Sequence, residues 1–314
     1  MGASVCPFKS TAMTEIALFG AIEIGLVYAL VAIGVYLSFR ILDFPDLTVD
    51  GSFPLGAAVC AVLLIAGVNP WLASLAAALA GAVAGLVTAT LNVRFKILHL
   101  LASILTMIAL FSVNLRVMGR PNVALLMQDT VLTPFYGLGI PDHIVRPLVV
   151  GLIVAAVVLL LARFLSSEFG LAMRATGVNA RMARAQGVDT DAHVYAGIAL
   201  SNGLTGLAGA LFAQTNGFAD VTTGIGTIVV GLAAVIVGET VLPARALALA
   251  LIGCVAGSIL YRLAVQVALS ADSIGLQASD LNLVTALLVA VALILPRLKA
   301  KASRGAPRNP SAAK

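Results

Sequence analysis

Charge is scarce in this chain. Asp, Glu, Lys and Arg make up 11% of its 314 residues, against about a quarter in an ordinary soluble domain. Aromatic residues are 6%, and cysteine and histidine occur three times each. Cys6, Cys60 and Cys254 show no metal or redox spacing, and Cys60 and Cys254 fall inside apolar runs, as packing residues do. His99, His143 and His193 are scattered, and neither H-E-x-x-H nor H-x-x-E-H occurs. No nucleophile stands in a recognisable pattern with a base, which argues against an enzyme, and nothing calls for a cofactor or a metal. The G-x-x-x-x-G-K-[ST] loop is absent, so the chain cannot bind ATP by that device. The regular alternation of barrel strands is missing too.

What is present is apolar. Aliphatic, aromatic and cysteine residues amount to 61%, more than one compact core of this size can hide from water. Lipid is therefore the expected solvent for much of the chain. Several apolar runs reach the roughly 20 residues a helix needs to cross a bilayer. The expected fold is an all-α polytopic transmembrane bundle of about nine spans, with boundaries near 15–39, 51–68, 71–93, 97–118, 146–165, 191–213, 226–242, 245–268 and 281–296. Breakers separate them, among them Asn69-Pro70, Arg120-Pro121, Pro141, Gly187, Pro243 and Pro296. Residues 1–14 form a polar extension in which Met13 is an alternative start to Met1. Residues 15–298 form the membrane unit, and the basic, Ala-, Pro- and Ser-rich tail 299–314 is expected to be disordered.

The net charge of +5 does not imply nucleic acid, because the basic residues sit in short loops between apolar runs. With the N-terminus outside, 14 of the 19 Lys and Arg fall on the cytoplasmic side. The positive-inside rule thus gives N-out and C-in, and an odd number of spans fits.

Two segments stand out. F-P-D-L-T at 44–48 returns as F-A-D-V-T at 218–222, an offset of 174 residues. Each follows an apolar helix and precedes a short Gly-rich run. Five predicted spans lie between them, so the copies point in opposite directions. Inverted repeats of this kind, with broken or re-entrant helices, place a solute path at the repeat interface. Phe44, Asp46, Thr48, Asp50, Phe218, Asp220 and Thr222 are the candidate pathway residues. A cytoplasmic loop of solvated or helix-capping aspartates accounts for the same pattern. Glu23 sits within the first span, facing the bundle or snorkelling, and Glu239 reads as a helix-end residue. Gly81, Gly85, Gly206 and Gly209 read as close-packing positions.

The second segment is the polar stretch 166–191. Asn179 suits a helix N-cap, a short Ala- and Arg-rich helix follows to Gln186, and Gly187 suits its end. Met182 and Val188 offer an apolar knob ringed by Arg174, Arg181 and Arg184. Such a helix docks in a groove of a partner or lies on anionic lipid.

The run F-G-L-A-M-R-A-T-G-V-N-A-R-M-A-R-A-Q-G-V resembles the cytoplasmic coupling loop of ABC importer permeases of the branched-chain amino acid and ribose type, matching at Gly170, Arg174, Ala175, Gly177, Asn179, Ala180, Ala183, Gly187 and Val188. The segment D-F-P-D-L-T-V-D-G-S-F-P resembles a tryptophan/tyrosine transport permease subgroup. The resemblance covers about residues 14–300. It implies a bacterial inner-membrane importer for a small solute such as an amino acid, in which two permeases, as a homodimer, meet two separate ATPase subunits and an extracytoplasmic solute-binding protein. It assigns ATPase coupling to Gly170, Arg174, Gly177, Asn179, Arg181, Met182, Ala183, Arg184, Gly187 and Val188. The competing reading is an ion-gradient-driven secondary transporter or channel using the membrane aspartates.

Overall fold

The computed structural model describes residues 15–136, 141–242 and 246–270. Ten α-helices follow one another: α1 (Glu15–Val35), α2 (Val49–Ile65), α3 (Pro70–Val93), α4 (His99–Met118), α5 (Asp142–Leu165), α6 (Glu168–Val178), α7 (Ala180–Ala185), α8 (Thr190–Asn216), α9 (Thr227–Val241) and α10 (Leu247–Ser270). Among the described residues, seven helical segments are long and apolar enough to cross a membrane. The predicted second span, 51–68, is instead the 17-residue α2. The predicted ninth span, 281–296, lies outside the described residues, as do the extension 1–14 and the tail 299–314. The described part thus holds seven long apolar helical segments and the shorter α2, at the places of the first eight predicted spans.

The helix ends follow local chemistry. Asn69 accepts the Trp71 amide at 3.0 Å, with Pro70 in the first turn of α3, a position where a missing N–H costs nothing. Asp189 caps α8 through the amides of Asp191 and Ala192. The first span ends in a π-helical turn, Tyr36–Ile41, a distortion common at functional positions.

The centre of the bundle is α8, packed on α2 and α3. Glycines at 56, 81, 206 and 209 let the backbones touch: a Cβ at Gly56 would overlap the Gly206 carbonyl, and one at Gly209 would overlap the Phe53 carbonyl. Without a hydrophobic drive between helices in lipid, close packing and interhelical hydrogen bonds hold them. The bonds are there. Ser52 donates to Asn202 Oδ1 at 2.7 Å, Gln214 donates to Ser74 Oγ at 2.8 Å, and Ser201 donates to the Gly34 carbonyl at 2.7 Å. Cys60 and Cys254 are buried thiols. Glu23 faces the bundle, buried.

An element the sequence did not announce is a two-stranded antiparallel ribbon of β1 (Asn122–Ala124) and β2 (Phe218–Asp220), pairing Val123 with Ala219. It joins the chain after α4 to the chain after α8.

Candidate functional site

The contacts fix how α2 and α9 sit. Asp46, just before α2, meets Asn202 near the middle of α8. From there α2 runs alongside α8, since Cys60 reaches Gln214 near the α8 terminus. The helix α9 starts at the same depth, because the Asp50 carboxylate accepts the Ile228 amide at 2.7 Å and the Gly226 amide at 3.2 Å. It runs the other way, ending where Glu239 meets Arg40 on the first span. The helices α2 and α9 therefore meet N-terminus to N-terminus inside the bundle, each starting just after one copy of the repeat.

The repeat is also visible in side-chain geometry. Asp46 Oδ1 accepts the Thr48 amide at 2.9 Å, and Asp220 Oδ1 accepts the Thr222 amide at 2.7 Å. Both copies form the same Asx turn. Position 224 corresponds to position 50 by the sequence offset, and the two touch: a Cβ on Gly224 would overlap the Asp50 carbonyl. The pseudo-two-fold axis thus passes beside Asp50.

The surroundings of the copies differ. Phe44, Asp46 and Thr48 are all buried, Asp46 and Thr48 at 0% exposure. Asn202 Nδ2 donates to Asp46 at 2.6 Å, Thr48 bonds Thr88 at 2.8 Å, and the Phe44 ring lies 4.4 Å from that of His99. Phe218 and Thr222 are exposed and Asp220 is half-buried. Burial alone would raise the Asp220 carboxyl. Hydrogen bonds from Thr222 and Asn122 outweigh it and hold the group below the usual aspartate value. Asp50, half-buried, borders a cavity of about 360 Å³ between α2, α4 and the turn at Val221–Gly224.

At the other end lies the polar segment 166–191. Ser167 caps α6 by accepting the Gly170 amide at 3.4 Å. Met173 is fully buried and anchors that helix. Gly177 packs directly on the carbonyl of Ile41, at the end of the π turn. Asn179 closes α6 in an extended conformation and caps α7 by accepting the Met182 amide at 3.1 Å. Ala183 is buried, and Gly187, at φ +83°, ends the motif in a conformation that favours glycine. Arg184 turns back to α8, donating to Thr190 at 2.6 Å and to Asp191 at 3.2 Å. Arg174 and Arg181 stay exposed, Val188 is half-buried, and Val178 and Met182 are exposed at 87% and 64%. The segment is fastened to the spans on one side and presents two apolar side chains on the other.

Sequence reasoning missed the whole of α6 as a helix, the role of Asn202 and the partner of Glu239. Arg40 grips Glu239 in a two-pronged ion pair at 2.6 and 2.7 Å, tying the end of the first span to the end of α9. The side chains are 59% and 35% exposed, so water screens the pair. A double-mutant cycle of Arg40→Ala and Glu239→Ala should give a coupling of only about 0.2–1 kcal/mol, measured as thermal stability in detergent. A larger coupling would mean that the pair is sealed from water.

Residues 17–295 match the family profile described as branched-chain amino acid transport system, permease component. The tyrosine transport system permease protein of Clostridioides difficile (strain R20291) is 36% identical over 265 residues, covering 84% of this chain and 86% of the relative. The uncharacterized protein RP368 of Rickettsia prowazekii (strain Madrid E) is 34% identical over 207 residues, 66% of this chain and 71% of the relative. No solved structure matches. With α2 and α9 meeting N-terminus to N-terminus at its centre and a profile match along nearly its whole length, the chain belongs to the permease family of branched-chain amino acid transport systems, the membrane-spanning components of ABC transporters.

Proposed function

We propose that the chain is the permease of an inner-membrane importer for an amino acid, powered by a separate ATPase that docks on α6 and α7. The carrying observation is the two-sided character of that segment. It is clamped to the first span at Gly177 and to α8 at Arg184, while Val178 and Met182 stand free. Exposed apolar side chains beside Arg174 and Arg181 fit a groove on a protein partner. Lipid would cover the apolar pair but would gain nothing from the rigid clamp.

In this reading the N-terminus is outside, the tail is inside, two copies of the permease form the membrane unit, and an external binding protein delivers the solute. Closure of the ATPase pair moves α7, the clamp passes the motion to the π turn, and α2 and α9 change their relation. Asp50 stands on the route of the solute, with Phe218, Asp220 and Thr222 at its outer mouth. Phe44, Asp46 and Thr48 form the wall behind it. The amino-acid assignment rests on the name of the C. difficile relative and of the family.

The test is a cross-link. Met182→Cys, paired with cysteines in the cleft of a co-expressed ABC ATPase subunit, should form a disulfide whose yield changes when a non-hydrolysable ATP analogue is added. A permease that never retains the ATPase under that condition would overturn the proposal.

A further inference from the structure

The cavity beside Asp50 holds more chemistry than packing needs. It lies between α2 and α4, with Pro54, Met107, Phe111 and Ile225 as apolar walls. Its volume, about 360 Å³, is in the lower part of the range for small-molecule sites. Two hydrogen-bond acceptors border it. Asp50 is an acid with no cation within ion-pair distance among the described residues. Its carboxylate takes two backbone amides, and a carboxylate offers about four acceptor positions. Asn114 is completely buried, uses its Nδ2 on the Gly51 carbonyl at 3.2 Å, and leaves its Oδ1 without a partner. An unmade bond on a buried amide is costly, and such a group in a native fold asks for a missing partner. The Ser112 hydroxyl adds a third polar group at the rim.

We infer that this cavity is a solute subsite that takes a primary ammonium group on Asp50 and Asn114, with an apolar or aromatic side chain against Met107 and Phe111. An ammonium carries three donors and no acceptor, which is the complement of two adjacent acceptors, one of them anionic. An acyl chain fits the walls but leaves both acceptors unmet. The site sits where the repeats meet, on the residue that caps α9. A bound ammonium therefore shares the Asp50 carboxylate with the amides that hold α9 in place, and occupancy is felt by α9.

The inference rests on the amino-acid reading above, and its test separates the two. The purified full-length chain in lipid nanodiscs is titrated by calorimetry with L-leucine and L-tyrosine. The same titration uses the amines lacking the carboxylate, isoamylamine and tyramine, and the acids lacking the amine, 4-methylpentanoate and 3-(4-hydroxyphenyl)propionate. Saturable binding of amino acids and amines, with the desamino acids at least tenfold weaker, is the expected result. Asn114→Leu and, as a second variant that keeps the shape, Asp50→Asn should each weaken binding about tenfold. Equal binding of the desamino acids, no binding of any amine, or variants that bind as the wild type does would each overturn it. ATP-driven uptake by the wild-type permease with its ATPase is measured in parallel. Uptake that proceeds while the binding pattern fails sinks the subsite alone. Amine-selective binding without ATP-driven uptake leaves the subsite standing and sinks the ATPase reading.

Discussion

Gly177→Val should stop ATP-driven uptake almost completely while leaving the chain inserted and soluble in mild detergent. A Cβ at position 177 would overlap the Ile41 carbonyl and come within 2.9 Å of the Leu42 Cα. Both neighbours are backbone, so no rotamer change relieves the clash. Either α6 lifts off the first span or the π turn rebuilds. Overpacking of this kind costs about 1–3 kcal/mol, which a bundle of this size survives as a fold. Coupling does not survive it, because a signal between two sites needs a rigid element with defined positions. At the upper end that cost corresponds to roughly a hundredfold, read as the initial rate of uptake in proteoliposomes. Gly20→Val is the control, since nothing lies within 4 Å of a Cβ there. Wild-type uptake by the Gly177 variant would mean that the contact between α6 and the π turn carries no motion.

That contact shows what a sequence can and cannot announce. The cap at Asn179 and the stop at Gly187 are local. A side-chain oxygen serves an amide three residues on, and a positive φ selects glycine, so both were legible and both are present. The repeat was legible for the same reason, because the Asp-x-Thr turn closes within three residues in each copy. The depth at which α2 begins was not legible. It depends on Asp46 finding Asn202, 156 residues away, and hydropathy responds only to composition, so it does not say at what level of the bundle a 17-residue apolar helix begins. The ribbon of Val123 and Ala219 escaped notice because three-residue strands carry no periodicity. The Arg40–Glu239 pair escaped because its partners lie 199 positions apart. Among the pathway candidates, the sequence could not tell Asp46 from Asp50. The structure separates them by surroundings, one sealed under α8 and one at a cavity.

The seam of α8 permits a graded experiment, and the expected order follows from distance. At Gly203 a new Cβ would meet the Ala78 carbonyl at 3.3 Å, a tight contact that a slight shift relieves. At Gly206 it would meet the Ala77 carbonyl at 2.6 Å, and at Gly209 it would overlap the Phe53 carbonyl and reach the Ala57 amide at 3.0 Å. Alanine at 203, 206 and 209 should therefore lower the thermal midpoint in that order, with Gly203→Ala near the wild type. Gly209→Ala should cost about 3 kcal/mol, the severe end of overpacking, and Gly209→Val should leave no monodisperse protein on size exclusion. Helix propensity predicts the opposite sign, since alanine is favoured over glycine by about 1 kcal/mol in a helix interior. The two effects compete at every position, and the backbone approach wins only where the carbonyl is too close to move. A flat series, or one in which all three alanines stabilise, would show that α8 can separate from α2 and α3 without loss. In that case the depth of Asp46 and Asp50, and with it the meeting of α2 and α9, would not be held by this seam.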